Sequence, residues 1–189
     1  MTSSSSSPGP GQTTTSNKVP ARVAVCPGGP VHGEIRPPGS KSLTNRAMIC
    51  AAMAAGPSRL TGALKSEDTE VMIESLRRCG LAVEESDAGQ TIAIDPGGET
   101  AGTREPVELF IANSGTSIRF LTAALSARGG RYHLSGVERM HQRPIADLID
   151  ALAAVQQGTI RAESDGGCPP VVIDSQGWNG TTIQVAGNV

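Results

Sequence analysis

Aromatic residues are almost missing from this sequence, with two Phe, one Tyr and one Trp among 189 residues. Such a chain offers no platform on which to stack bases, which argues against binding of single-stranded nucleic acid. An excess of one charge is missing too. Sixteen Lys and Arg stand against eighteen Asp and Glu, a formal net charge of −2. No global field draws nucleic acid or an anionic membrane, so any anion site has to be local. The four cysteines, Cys26, Cys50, Cys79 and Cys168, form no Cys-X-X-Cys pair, and His32, His133 and His141 are scattered. No metal or redox site is therefore expected, and the thiols read as incidental ones in a reducing compartment. No run approaches the roughly 18 apolar residues of a membrane span. Residues 1–18 are rich in Ser, Thr, Gly and Pro, and lack both Arg and the apolar stretch of a secretory signal. They read as a disordered tail on a cytoplasmic protein.

What is present is enough to fold. The 38% apolar share can fill a core, and the length suits one domain or a large part of a bigger one. Arg22–Cys26 and Val31–Arg36 read as short strands, followed by the break Pro37-Pro38-Gly39. A helix is expected from about Lys41 to Ala55, with Leu43, Ala47, Cys50, Ala51 and Ala54 on one apolar face. Then come a strand over Arg59–Leu64, a helix over Thr69–Cys79 stopped by Gly80, and strands over Leu81–Glu85 and Thr91–Ile94. The same order recurs. Val107–Ile111 reads as a strand, Ser114–Ala127 as a helix, Arg131–Ser135 as a strand and Pro144–Val155 as a helix. Thr159–Ala162 and Val171–Ile173 read as strands. Arg46 and Arg119 occupy matching places in the first helix of each unit, as do Leu76 and Leu152 in the second. That pattern points to an internal duplication. The chain closes on a strand-like Thr181–Val185 with nothing after it to cover the edge, so a truncated chain is expected.

The chemistry gathers at helix starts. In Gly39-Ser40-Lys41-Ser42-Leu43-Thr44-Asn45-Arg46, Ser40 is a natural N-cap and Lys41 falls in the first turn. A cation there opposes the helix dipole at a cost of up to ~1 kcal/mol. An anion bound by the free amides, the hydroxyls and the ammonium removes that misfit. Ser42 and Arg46 are four apart and share a side of the helix. A solvated Lys41 is the plain alternative. A P-loop is not, because five residues separate Gly33 from Gly39 and Ser40 precedes the lysine. Asn113-Ser-Gly-Thr-Ser-Ile-Arg119 sets a glycine among hydroxyls at another helix start, which a capping turn also explains. Arg139-Met-His-Gln-Arg143-Pro144 sets Pro144 at a first helical position, with Asp147 and Asp150 available to neutralise Arg143. Together the three starts point to one or two small polyanions held between helix N-termini.

These three stretches resemble the motifs of the 5-enolpyruvylshikimate-3-phosphate synthase family, the 3-phosphoshikimate 1-carboxyvinyltransferases, in the right order over about Val19–Val189. The resemblance implies an α/β (α+β) fold of two domains built from repeated βαβαββ units, here incomplete. Residues 1–18 would be the tail, 19–38 the first strands of the other domain, and 39–189 about two units of one domain. It also implies transfer of the enolpyruvyl group of phosphoenolpyruvate to the 5-hydroxyl of shikimate 3-phosphate with release of phosphate. Lys41 would contact both substrates and take part in catalysis. Ser42 and Arg46 would bind shikimate 3-phosphate, and Gly115 and Arg143 phosphoenolpyruvate. No cofactor, metal, nucleic acid or membrane enters, and a monomer is implied at full length. The chain as given is expected to be inactive alone. Phe120, where many members carry Pro, follows the second motif, a departure from the family pattern that bears on the placing of its helix. A related transferase acting on UDP-N-acetylglucosamine, and a non-catalytic anion-binding piece of the same fold, are the alternatives.

Overall fold

Ser40 and Ser114 have extended backbones, and each side-chain oxygen accepts an amide of the turn that follows, Leu43 N–H at 3.4 Å and Ser117 N–H at 3.3 Å. These caps start α1 (Lys41–Ala52) and α3 (Gly115–Arg128) in a computed structural model that describes residues 22, 24–26, 28–97, 105–179 and 182–185. The tail over 1–18 and Thr181 lie outside the described residues. The chain divides into Met1–Arg36 and Pro37–Val189. The described residues of the first unit are all exposed and form neither helix nor strand. The strand expected over Val31–Arg36 is therefore not formed, and the described residues of Arg22–Cys26 form none. Alternating apolar residues make a strand only against a ladder partner, and no described strand pairs with them. Residues 182–185 likewise form no strand.

The second unit runs α1, β1 (Ser58–Thr61), α2 (Glu67–Arg78), β2 (Ala82–Ser86) and β3 (Thr91–Asp95), then β4 (Val107–Phe110), α3, β5 (Gly130–Ser135), α4 (Ala146–Ala153), β6 (Gln156–Ser164) and β7 (Cys168–Trp178). The first sheet has the order β1-β3-β2, antiparallel throughout. The second has the order β4-β5-β7-β6. There β4 runs parallel to β5 across the α3 crossover, and the remaining pairs are antiparallel. Without β4, the second order reproduces the first, element for element. Tyr132, Leu134, Val171 and Ile173 of the second sheet face the helices and are buried, while Arg131, His133 and Arg161 stay on its open face.

The core is one cluster in which Met48, Met72, Leu76, Ile92, Ile94, Leu109, Ile118, Leu121, Leu134 and Leu152 are among the buried members. Each such side chain contributes about 1.5–3 kcal/mol relative to an exposed one. Tyr132 brings its hydroxyl with it, donating to Gly129 O at 2.8 Å.

Two helices differ from expectation. The buried face of α1 is Thr44, Asn45, Met48, Ala51 and Ala52. Of the stripe expected to be inward, Leu43, Cys50 and Ala54 are exposed, and Leu43 is 64% accessible. Hydrophobic periodicity marked a real stripe but not the one that packs, since small polar residues on the inner face are paired. Thr44 Oγ1 accepts Leu64 N–H at 3.1 Å. The fourth helix begins at Ala146, and Pro144 lies before its cap, Ile145. There Ile145 N–H bonds Gly167 O at 3.0 Å, which ties the entry to the β6–β7 turn and delays the helix by a residue or two. Phe120 leaves α3 unbroken from Gly115 to Arg128.

Candidate anion-binding site

Each helix start leaves its first amides without an intrahelical acceptor. The first turns of α1, α2 and α3 meet around one cavity of about 630 Å³ lined by Lys41, Ser42, Arg46, Glu67, Asp68, Asn113, Ser114, Gly115, Thr116, Arg119, Phe120 and Arg143. All five residues singled out from the sequence, Lys41, Ser42, Arg46, Gly115 and Arg143, are on its wall. Four cationic side chains face two carboxylates there, a local positive excess in a chain of net charge −2.

Local geometry explains how the cations are held. The turn from β4 into α3 passes through Ala112 in the left-handed region, φ 48°, a conformation costing a non-glycine residue on the order of 1 kcal/mol. Ala112 O accepts Val137 N–H at 3.1 Å, and a side chain at Gly136 would place Cβ 2.3 Å from that same oxygen. This close approach pins the loop after β5, which Met140 anchors in the core and the 2.9 Å Ser135 Oγ–His141 Nε2 bond braces. Arg143 follows from that loop rather than from the start of α4, and its Nη1 donates to Asn113 O at 3.0 Å. Arg119 donates Nη2 to Pro144 O at 2.9 Å. Gly115 lies beneath both guanidiniums. A Cβ there would come 2.6 Å from Arg143 Nη1 and 3.5 Å from Arg119 Nη1. Asp147 and Asp150, available in the sequence to neutralise Arg143, line a separate cavity, and the carboxylate that feels the charge of Arg143 is another one.

That carboxylate is Asp68. Its Oδ2 lies 2.7 Å from Lys41 Nζ. Burial alone would raise its pKa, but hydrogen bonds from Lys41 and Ser114 and the charges of Lys41 and Arg143 outweigh burial and hold the group below the ordinary carboxylate range. Asp68 is thus ionised at neutral pH and is an acceptor only. Sequence reading missed it. An acid in the first turn of α2 looks like an ordinary dipole partner, and nothing in the chain reveals that residues 41 and 68 meet. Arg119 was visible only as a marker of the repeat.

Comparison with known proteins gives the family of the chain. The family model for EPSP synthase (3-phosphoshikimate 1-carboxyvinyltransferase) matches residues 25–189. The chain belongs to the EPSP synthase family. A curated 3-phosphoshikimate 1-carboxyvinyltransferase of Pseudomonas savastanoi pv. phaseolicola is 44% identical over 161 residues, 85% of this chain and 37% of that protein. One of Bordetella pertussis is 45% identical over 157 residues, 83% of this chain and 34% of its own. The chain spans about a third of the length of the curated relatives it matches. Among solved structures, EPSP synthase from Acinetobacter baumannii superposes with a TM-score of 0.65 at 29% identity, covering 82% of this chain and 33% of that one. The enolpyruvyl transferase NikO from Streptomyces tendae, with a TM-score of 0.51 at 24% identity, shares the fold. The mixed α/β architecture of the EPSP synthase family and its βαβαββ unit are thereby established for this chain.

Proposed function

We propose that this chain supplies one wall of a 3-phosphoshikimate 1-carboxyvinyltransferase site, which moves the enolpyruvyl group of phosphoenolpyruvate to the 5-hydroxyl of shikimate 3-phosphate. The observation that carries the reading is the convergence of Lys41, Ser42, Arg46, Gly115 and Arg143 on one cavity with a positive excess. Membership of the family supports it. Both substrates are polyanions, and two of them cannot approach each other without neutralising groups fixed in advance.

In this reading Lys41 reaches both substrates from the cavity wall, Ser42 and Arg46 hold an anionic group of shikimate 3-phosphate, and Arg143 grips the anionic groups of phosphoenolpyruvate over Gly115. A guanidinium suits that task because its fork binds a phosphate or carboxylate through two parallel hydrogen bonds. The reaction protonates the phosphoenolpyruvate methylene and joins the 5-oxygen to the resulting cationic carbon. The hydroxyl proton is lost, and phosphate then leaves from the tetrahedral intermediate as the new methyl group gives up a proton and the double bond is restored. Asp68 is no candidate for the general acid, since its proton affinity is too low at neutral pH. Its part is electrostatic.

The reading carries with it a cytoplasmic monomer with small molecules as partners and neither nucleic acid nor membrane. No helix among the described residues is long and apolar enough to cross a membrane.

Isothermal titration with shikimate 3-phosphate and phosphoenolpyruvate tests the assignment. Arg46→Ala is expected to weaken shikimate 3-phosphate binding roughly tenfold or more, the scale of a lost charge-assisted hydrogen bond. Lys41→Met is expected to weaken both ligands. Unchanged affinities in both variants would remove these roles.

A further inference from the structure

We propose that Asn45, Ser117 and Ser114 form a buried hydrogen-bond chain that fixes the Asp68 carboxylate, and through it the Lys41 ammonium, at the cavity wall. As positioning residues for a phosphorylated acid, they rest on the function proposed above.

The chain crosses three helices. Asn45 of α1 and Ser117 of α3 are both 0% exposed, and Ser114 is 3% exposed. Asn45 Nδ2 donates to Ser117 Oγ at 3.4 Å, and the Ser117 and Ser114 hydroxyl oxygens are 2.7 Å apart. Ser114 in turn bonds the Asp68 side chain of α2, which meets Lys41 Nζ at 2.7 Å.

Donor accounting gives the chain one direction. Ionised Asp68 only accepts, so the single proton of Ser114 points to it. Ser114 Oγ is then the acceptor for Ser117 O–H as well as for Ser117 N–H at 3.3 Å. Ser117 Oγ, with its proton committed, accepts from Asn45. Every proton thus points toward Asp68, and Lys41 donates to it from the opposite side. Chains aligned in this way polarise one another. The same Ser117 proton is shared with Asp68 O, 3.3 Å from Ser117 Oγ, in a three-centre bond that steadies the backbone of that residue.

Stability alone does not account for such a set. Asn45 Oδ1 is buried with no hydrogen-bond partner among the described residues, and an orphaned buried acceptor is unfavourable. Apolar side chains of the same size would pack there without that loss. What the polar set provides is fixed geometry between the starts of α1, α2 and α3. Other charged groups facing Asp68 across the cavity are Arg46 of α1, Glu67 of α2, Arg119 of α3 and Arg143 of the loop before α4.

The test is a ¹³C NMR titration of the Asp68 carboxyl carbon in the wild-type chain and in Ser114→Ala, Ser117→Ala and Ser114→Thr. Ser114→Ala is expected to raise the Asp68 midpoint by about one pH unit, through loss of a donor to the charged form. Ser117→Ala should raise it less, and Ser114→Thr, which keeps the hydroxyl, should restore it. A purely packing role would alter melting temperature and leave all four midpoints together, and that result overturns the proposal. A second readout needs no variant. The Ser114 and Ser117 hydroxyl protons of the wild type should exchange slowly enough to be observed, and exchange at the solvent-exposed rate contradicts the chain. Shikimate 3-phosphate affinity, measured on the same samples, is expected to fall about three- to tenfold in Ser114→Ala. A wild-type chain that shows the Asp68 shifts but binds no shikimate 3-phosphate would remove the function and leave the hydrogen-bond chain. Binding without the shifts would do the reverse.

Discussion

Gly115 shows how much one missing side chain can do. With a methyl group 2.6 Å from Arg143 Nη1, the guanidinium is the mobile partner and has to swing off the helix start. Gly115→Ala is therefore expected to weaken phosphoenolpyruvate binding about tenfold. Thermal stability should stay equal or rise, because Gly115 is not in the left-handed region and alanine favours the helix. Calorimetry of both properties separates this from general damage. A fall in melting temperature with unchanged affinity would show that the glycine serves packing instead. The thiols divide as sharply. Burial pushes Cys79 up to about 11, the Arg128 charge pulling the other way, whereas Cys26 and Cys50 are exposed. A disulfide reagent at neutral pH is expected to modify Cys26 and Cys50 in the folded protein and Cys79 only after denaturation. Lys41 and Arg143 stood out in the sequence because cations at expected helix starts are electrostatic misfits. Asp68 did not, since an acid at a helix start is no misfit.

Among the elements, α2 has the most complete start. Thr69 is 1% exposed, and its hydroxyl oxygen accepts Ser66 N–H at 2.9 Å while donating toward Leu64 O and Ser66 O. Acids occupy the first turn and Arg77 and Arg78 the last, in accord with the dipole. Because α2 carries Asp68, its first turn sets the site. Thr69→Val is expected to lower unfolding free energy by about 1–2 kcal/mol, measurable by urea denaturation. No change would mean that the start of α2 is held by packing alone. Legibility was uneven here too. The helices α2 and α3 and the paired strands after each second helix followed from periodicity and turn residues. The inward face of α1 did not, because Thr44 and Asn45 face inward while Leu43 faces outward. Nor did the length of β6 and β7, since ladder pairing extends both strands through Gly158 and Gly177, which local preference would have ended.

At the scale of the whole molecule, one sheet order is used twice and α1, α2 and α3 bring their positive ends to one place. That arrangement gives a chain of net charge −2 a cationic cavity. Shikimate 3-phosphate affinity should therefore fall as ionic strength rises. Asp68 adds a pH dependence. Its folded pKa lies below the unfolded value, so its contribution to stability is full above about pH 4 and is lost as pH falls through the lower folded value. Asp68→Asn should flatten the acid limb of a stability profile in that range and leave the alkaline limb unchanged. The most direct test of the central claim is an amide NMR titration of the protein with shikimate 3-phosphate. The account predicts saturable shifts centred on the first turns of α1, α2 and α3, around Lys41–Leu43, Glu67–Asp68 and Gly115–Ser117, lost in Lys41→Met. Shifts spread evenly over the surface, or confined to the open face of the second sheet, would contradict it.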